Sequence, residues 1–147
     1  MNKVLGVSLF VMALVIAIAP VFTDCLSQGR SLKLADGRTV PMKCHWTAIA
    51  EIGVGVQLAV VGILTAVNKN KGTLGILSVF GLVAGSLAIL FPTVLIGVCA
   101  APTMFCNMVM KPILLTSGII TLVASAVLLV TSLSGLRAPG QARGAAA

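Results

Sequence analysis

Residues 73–96 read TLGILSVFGLVAGSLAILFPTVLI, a run of 24 residues without one charged side chain. A helix rises about 1.5 Å per residue, so roughly 20 apolar residues cross the hydrocarbon core of a bilayer. This stretch is long enough, and Val4–Phe22, Trp46–Val67 and Ile113–Leu133 match it. The composition agrees, with 59% hydrophobic residues, 9% charged residues and a mean hydropathy of +1.15 over 147 residues. So few charges cannot clothe the surface of a water-soluble domain. Lipid offers no partner to backbone N–H and C=O groups, so a spanning segment must be helical or belong to a closed barrel. The apolar-out, polar-in alternation of a barrel strand is absent. The sequence therefore predicts an all-α polytopic membrane protein over residues 1–134, with four transmembrane helices (4–22, 46–67, 73–96 and 113–133) in an up-down bundle.

The connections complete the plan. Met1-Asn2-Lys3 before an apolar run resembles a signal peptide, and Ala17-Ile18-Ala19 supplies a small-residue cleavage pattern. Pro20 just after that point, and Asp24 before Cys25, speak for an uncleaved anchor helix. The loop 23–45 contains Ser31–Leu34, the turn dipeptide Asp36-Gly37 and Arg38–Val40, which together predict a small extracytoplasmic hairpin ended by Pro41. The turn Asn68–Gly72 is so short that the helices beside it must be antiparallel neighbours. The Gly-, Pro- and Ala-rich stretch 135–147 reads as a disordered cytoplasmic tail.

Orientation does not follow from counting charge. Lys3, Lys69, Lys71, Arg137 and Arg143 fall on one side, and Arg30, Lys33, Arg38, Lys43 and Lys111 on the other. The positive-inside rule is tied. The wholly basic turn at 68–72 favours the first side as cytoplasmic, and the cysteines agree. Cys25, Cys44, Cys99 and Cys106 all fall on the second side, where an oxidising exterior would let disulfides persist. The expected location is the bacterial cytoplasmic membrane, multi-pass, with both termini inside. The net charge of +7 is scattered over short loops and tails. It suits lipid headgroups and gives no reason to expect nucleic acid.

Small residues mark where helices meet. Thr47, Ala48, Glu51, Gly55, Leu58 and Gly62 share one face of the second segment. The third carries Gly81 and Gly85, and the fourth Ser117, Thr121 and Ser125. Such stripes permit close approach within the monomer or in a homo-oligomer. Glu51 is the one acidic residue in any apolar run. A charged group at that depth costs roughly 2.5–3.5 kcal/mol on insertion scales, so it must face inward and find a partner. A hydroxyl of the fourth helix, Thr121 or Ser125, or a backbone carbonyl is the expected partner unless the side chain reaches toward the interface. A role in proton, metal or substrate handling is the alternative.

Four cysteines admit three pairings. The simplest expectation is one structural bridge in each loop, Cys25–Cys44 and Cys99–Cys106. Two sharper readings compete with it. Met42, Cys44, His45, Met104 and Cys106 are candidate ligands for a soft metal or for haem, because thioether, thiolate and imidazole suit ions such as Cu(I). If the run Met104-Phe105-Cys106-Asn107-Met108-Val109-Met110 were extended, its sulfurs would share a face. No Cys/His cluster of zinc type is visible along the sequence. The other reading is thiol redox chemistry with a quinone, since Cys44 sits beside His45 at a helix start. Four helices with a cysteine pair in each of two loops resembles the disulfide-bond formation protein B family. The Cys-x-x-Cys of that family, and of the vitamin K epoxide reductases, is missing. The spacings here are nineteen residues from Cys25 to Cys44 and seven from Cys99 to Cys106. No hydrolase elbow, phosphate loop, paired carboxylate or nucleotide fingerprint is present.

A closer resemblance rests on Met42-Lys43-Cys44-His45-Trp46-Thr47 with Ala50-Glu51, and on Cys99, Met104, Cys106, Lys111 and Pro112. These residues resemble the family of small bacterial membrane proteins known as domain of unknown function 4418. The resemblance implies four helices and no assigned activity. It also implies a gene neighbourhood with an ATP-binding-cassette transporter of macrolide-exporter type. The expected function is thus a non-catalytic accessory partner of a transport complex, with no resident cofactor. A transporter permease is the expected protein partner.

Overall fold

A computed structural model describes residues 2–141 of the chain and the side chains of residues 2–134. The order of elements is α1 (Asn2–Thr23), β1 (Leu32–Lys33), β2 (Thr39–Val40), α2 (Lys43–Val67), α3 (Lys71–Leu90) and α4 (Lys111–Gln141). Two π-helical turns, Phe91–Leu95 and Cys106–Met110, extend α3 and precede α4. Four helical stretches are long and apolar enough to cross a membrane: Asn2–Thr23, Lys43–Val67, Lys71–Leu95 and Cys106–Ser134. The chain is a multi-pass membrane protein. Helix α4 continues past the expected end at Leu133 to Gln141, and 142–147 of the expected disordered tail lie outside the described residues.

The helices pack as two close pairs, α1 with α2 and α3 with α4, which touch each other less extensively. Glycine makes each pair possible. A β-carbon at Gly62 would lie 2.7 Å from the Phe10 backbone nitrogen, and one at Gly118 would lie 3.1 Å from the Gly85 carbonyl oxygen. Without a hydrophobic drive between helices in lipid, such backbone contact supplies the dispersion energy that holds them. Leu9, Ala13, Ile16, Val54, Leu58 and Ala84 fill the interior, while Val4, Val56, Ile76 and Val130 are among the many apolar side chains left facing outward, as lipid permits.

The two π turns adjoin the two prolines of the α3–α4 connection. Pro92 lies within the first, and Pro112 follows the second by two residues. A proline removes a helical N–H, and an inserted residue is one way a helix re-registers its hydrogen bonds. The first turn ends at Gly97, whose φ of +81° lets the chain leave the helix sharply, with the Gly97 N–H donating to the Phe91 carbonyl at 2.9 Å. The connection is therefore shorter than the irregular 97–112 expected. Helical structure resumes at Cys106.

At the same end, β1 and β2 pair antiparallel with Leu32 opposite Val40 and Lys33 opposite Thr39. The Leu34 N–H donates to the Arg38 carbonyl at 2.8 Å, leaving a three-residue tip of Ala35, Asp36 and Gly37 rather than the two-residue turn the sequence suggests. Gly37 has φ +80°, and Asp36 pairs with Arg38 at 2.8 Å on the surface.

Gly62→Val should therefore separate α1 from α2 and lower stability by about 1–3 kcal/mol, the usual cost of overpacking. Gly53→Ala, where a β-carbon meets nothing within 4 Å, is the control. It should be neutral or stabilising by up to about 1 kcal/mol from helix propensity. Denaturation in detergent micelles, followed by circular dichroism, measures both; equal effects would refute the close-packed glycine seam.

Candidate metal centre

Helix α1 ends in a turn built by Asp24. Its Oδ1 accepts from the Ser27 N–H at 2.7 Å, and the Ser27 hydroxyl donates back to the Asp24 carbonyl at 2.8 Å. This fixes Cys25. The other oxygen, Asp24 Oδ2, lies 2.8 Å from His45 Nδ1 at the start of α2. Burial pushes the Asp24 carboxyl up, but the hydrogen bonds from His45 and Ser27 outweigh it and hold the group below the usual aspartate value. Because Asp24 precedes Cys25 and His45 follows Cys44, the pair brings those two cysteines side by side.

A second bond places the α3–α4 connection. The Thr47 hydroxyl, one turn into α2, donates to the Gly97 carbonyl at 2.7 Å. Cys99 follows two residues later, and Cys106 opens the π turn that leads into α4.

These elements bring four sulfurs into one group. Cys25 Sγ lies 3.4 Å from both Cys99 Sγ and Cys106 Sγ, and Cys99 Sγ lies 3.4 Å from Cys44 Sγ. All four sulfurs lie within 4.8 Å of one another. The expected loop-by-loop bridges Cys25–Cys44 and Cys99–Cys106 are not made, and all four are free cysteines. A disulfide bond is about 2.05 Å long, so these are contacts between separate thiols. No such group is visible along the sequence because its four members are dispersed there, and the fold assembles them. A tetrahedron with metal–sulfur bonds of about 2.3 Å has sulfur–sulfur edges of about 3.8 Å, within the range found here. The spacing suits a single ion and is too tight to enclose a cluster of several metals.

Cys25, Cys44 and Cys106 are buried and Cys99 is half-buried. Burial, followed by shared hydrogen bonds with the other three thiols, pushes the Cys25 thiol well above its ordinary value. For Cys99, burial acts upward but bonds from Cys25, Cys44 and Cys106 outweigh it and lower the thiol.

The remaining candidates divide. Met42 Sδ lies 3.8 Å from Cys99 Sγ, and Met104 packs beside the same buried group. His45 is turned to Asp24. The run 106–110 is a helical turn, not extended, so Cys106 and Met110 are buried while Met108 is exposed. Asp24 is the residue that sequence reasoning undervalued: its one signal was an acidic side chain immediately before a cysteine.

Glu51 is fully buried, and neither carboxylate oxygen has a hydrogen-bond partner among the described residues. The expected bond to Thr121 or Ser125 is not made. Thr121 spends its hydroxyl on its own helix, donating to the Ser117 carbonyl at 2.8 Å, and the Ser125 hydroxyl, seated over Gly81, is itself unpartnered.

Taken together, the fold is that of a polytopic membrane protein with four apolar spans and, at one end, a group of four cysteines that could hold a metal ion. The chain belongs to the family described as domain of unknown function (DUF4418), whose model matches residues 4–131. No curated protein and no solved structure matches it.

An unpartnered buried carboxyl destabilises a fold, and an apolar side chain of similar size removes that cost. Glu51→Leu should accordingly raise stability by about 1–3 kcal/mol in detergent unfolding, with Glu51→Gln close to the parent. A loss of stability in Glu51→Leu would show that the carboxyl has a partner.

Proposed function

We propose that this protein is a membrane-embedded metal-thiolate protein that holds one soft or borderline ion through Cys25, Cys44, Cys99 and Cys106. One observation carries the reading: four sulfurs from four separate parts of the chain lie within 4.8 Å of one another. Thiolates are the ligands that zinc and Cu(I) share. Each thiol gives up its proton on binding, and metal binding then ties the ends of α1, α2 and α4 to the intervening connection. The role is non-catalytic. An accessory subunit beside a transport complex, as the resemblance implies, is a place such a protein can fill.

Redox chemistry is the second reading, favoured by the half-exposed and acidified Cys99 with two thiols at 3.4 Å and 3.4 Å. Oxidation of two thiols to one disulfide would pass two electrons and two protons to a lipid quinone, the acceptor that reading requires.

Anaerobic purification of the full chain, with elemental analysis and thiol titration, separates the two. The expected result is about one metal ion per chain, lost in Cys106→Ser, and tetrathiolate charge-transfer bands after Co(II) substitution. Two disulfides and no metal would establish the redox reading instead.

We also propose the bacterial cytoplasmic membrane with both termini inside. With the thiols gathered into one centre, this orientation rests on Lys3 and the basic turn Asn68–Gly72. After metal removal on intact cells, a membrane-impermeant maleimide should label Cys99, the one half-exposed thiol. Labelling that needs membrane disruption would reverse the orientation.

A further inference from the structure

Three members of the four-thiol group are buried, and two neighbouring cavities lead to it. Cys25, Cys44 and Cys106 are exposed to 4%, 0% and 0%, so they offer little surface to an incoming or departing ion. Cys99 is the half-buried member. It lines a cavity of about 390 Å³ together with Met42, Lys43, Met104, Leu32 and Val98. Met104 also borders a neighbouring cavity of about 260 Å³ that reaches Cys25 beside Gln28 and Arg30. Met42 Sδ stands 3.8 Å from Cys99 Sγ. Two methionines therefore line the openings to the thiol group, one of them with its sulfur in contact with Cys99.

The chemistry of this mouth is selective. Neither cavity has a carboxylate or an imidazole in its lining, the side-chain ligands by which a hard or borderline dication would be handed inward. The nearest ones, Asp24 and His45, are bonded to each other and line a different cavity with Val21, Ala48, Ile49 and Ile52. Lys43 and Arg30 add positive charge at the openings. A free dication meets repulsion there, whereas a soft monovalent ion carried in an anionic complex meets attraction and two thioether ligands.

We infer that the centre is an exchangeable site for a soft monovalent d10 ion of the Cu(I) class, passed in and out through Cys99 by way of Met42 and Met104. This rests on the metal-thiolate reading above. In the inward step the ion keeps its oxidation state. A bond to the donor complex breaks, a bond to a methionine thioether forms, and that bond is replaced by one to Cys99 Sγ as its thiol proton leaves to water. The buried thiols then complete the ligand set, each releasing its proton in turn.

The test uses the full chain in detergent micelles, reduced and metal-free under anaerobic conditions. Cu(I) is presented as its anionic bicinchoninate complex, and transfer is followed by loss of the complex's absorbance. Met42→Leu with Met104→Leu keeps the volume and removes both thioethers. The variant should bind the same number of Cu(I) ions as the parent, at a rate at least about fivefold lower, while Zn(II) uptake from a chromogenic chelator keeps its rate within about twofold. Should the double variant fail to fold, the two single substitutions carry the same comparison. Equal Cu(I) rates in parent and variant, with metal still bound, would overturn the route and leave the four-thiol centre standing. A parent chain that takes up neither ion would overturn both.

Discussion

The hydrogen bond between Asp24 and His45 is the contact on which the arrangement at the cysteine end depends. It joins the end of α1 to the start of α2 at 2.8 Å, and each partner is the chain neighbour of a cysteine. Half-buried and flanked by apolar side chains, such a bond is worth more than it would be in water, because its partners have lost their solvent. The Thr47–Gly97 bond does the equivalent for the α3–α4 connection. Three helices and a loop are thereby registered closely enough for four sulfurs to meet. No covalent link is needed to gather them.

The interior below this point follows a different rule. Most of its hydroxyls bond within their own helix: Ser117 to the Ile113 carbonyl, Thr121 to Ser117 and Ser132 to Leu128. Such bonds are available to a helix before it meets any neighbour, so they do little to choose one. Helix choice falls instead to shape, where Gly62 receives Phe10 and Gly118 receives Gly85. Glu51 has no equivalent local option, since its side chain has no proton to give a carbonyl when ionised. Neither its carboxylate oxygens nor the Ser125 hydroxyl has a hydrogen-bond partner among the described residues.

Much of this was legible along the chain. Long apolar runs marked all four spans, because burying backbone in lipid leaves helix as the simple solution. Glu51 was readable as inward-facing, and Asp36-Gly37 as a turn, though the pairing shifted by one residue. Gly6, where a β-carbon would lie 2.8 Å from the Gly62 carbonyl oxygen, and Gly118 gave no signal, since a lone glycine in an apolar run does not announce its partner. The π turns were hidden for a similar reason: proline marks a break without saying how the chain re-registers.

The cysteines divide most sharply between sequence and structure. Their placement on one side of the membrane follows from helix length and the number of crossings, and that is a property of the sequence alone. Their union as one group does not. Spacings of nineteen and seven residues suggest two separate loops, each closed on itself. Only the packed bundle brings Cys25 of the first connection within 3.4 Å of Cys99 and Cys106 of the second. The physical reason is that hydropathy acts along one segment at a time and sets depth. Lateral position in the bilayer is set by which backbones can touch and which polar groups at the helix ends find each other.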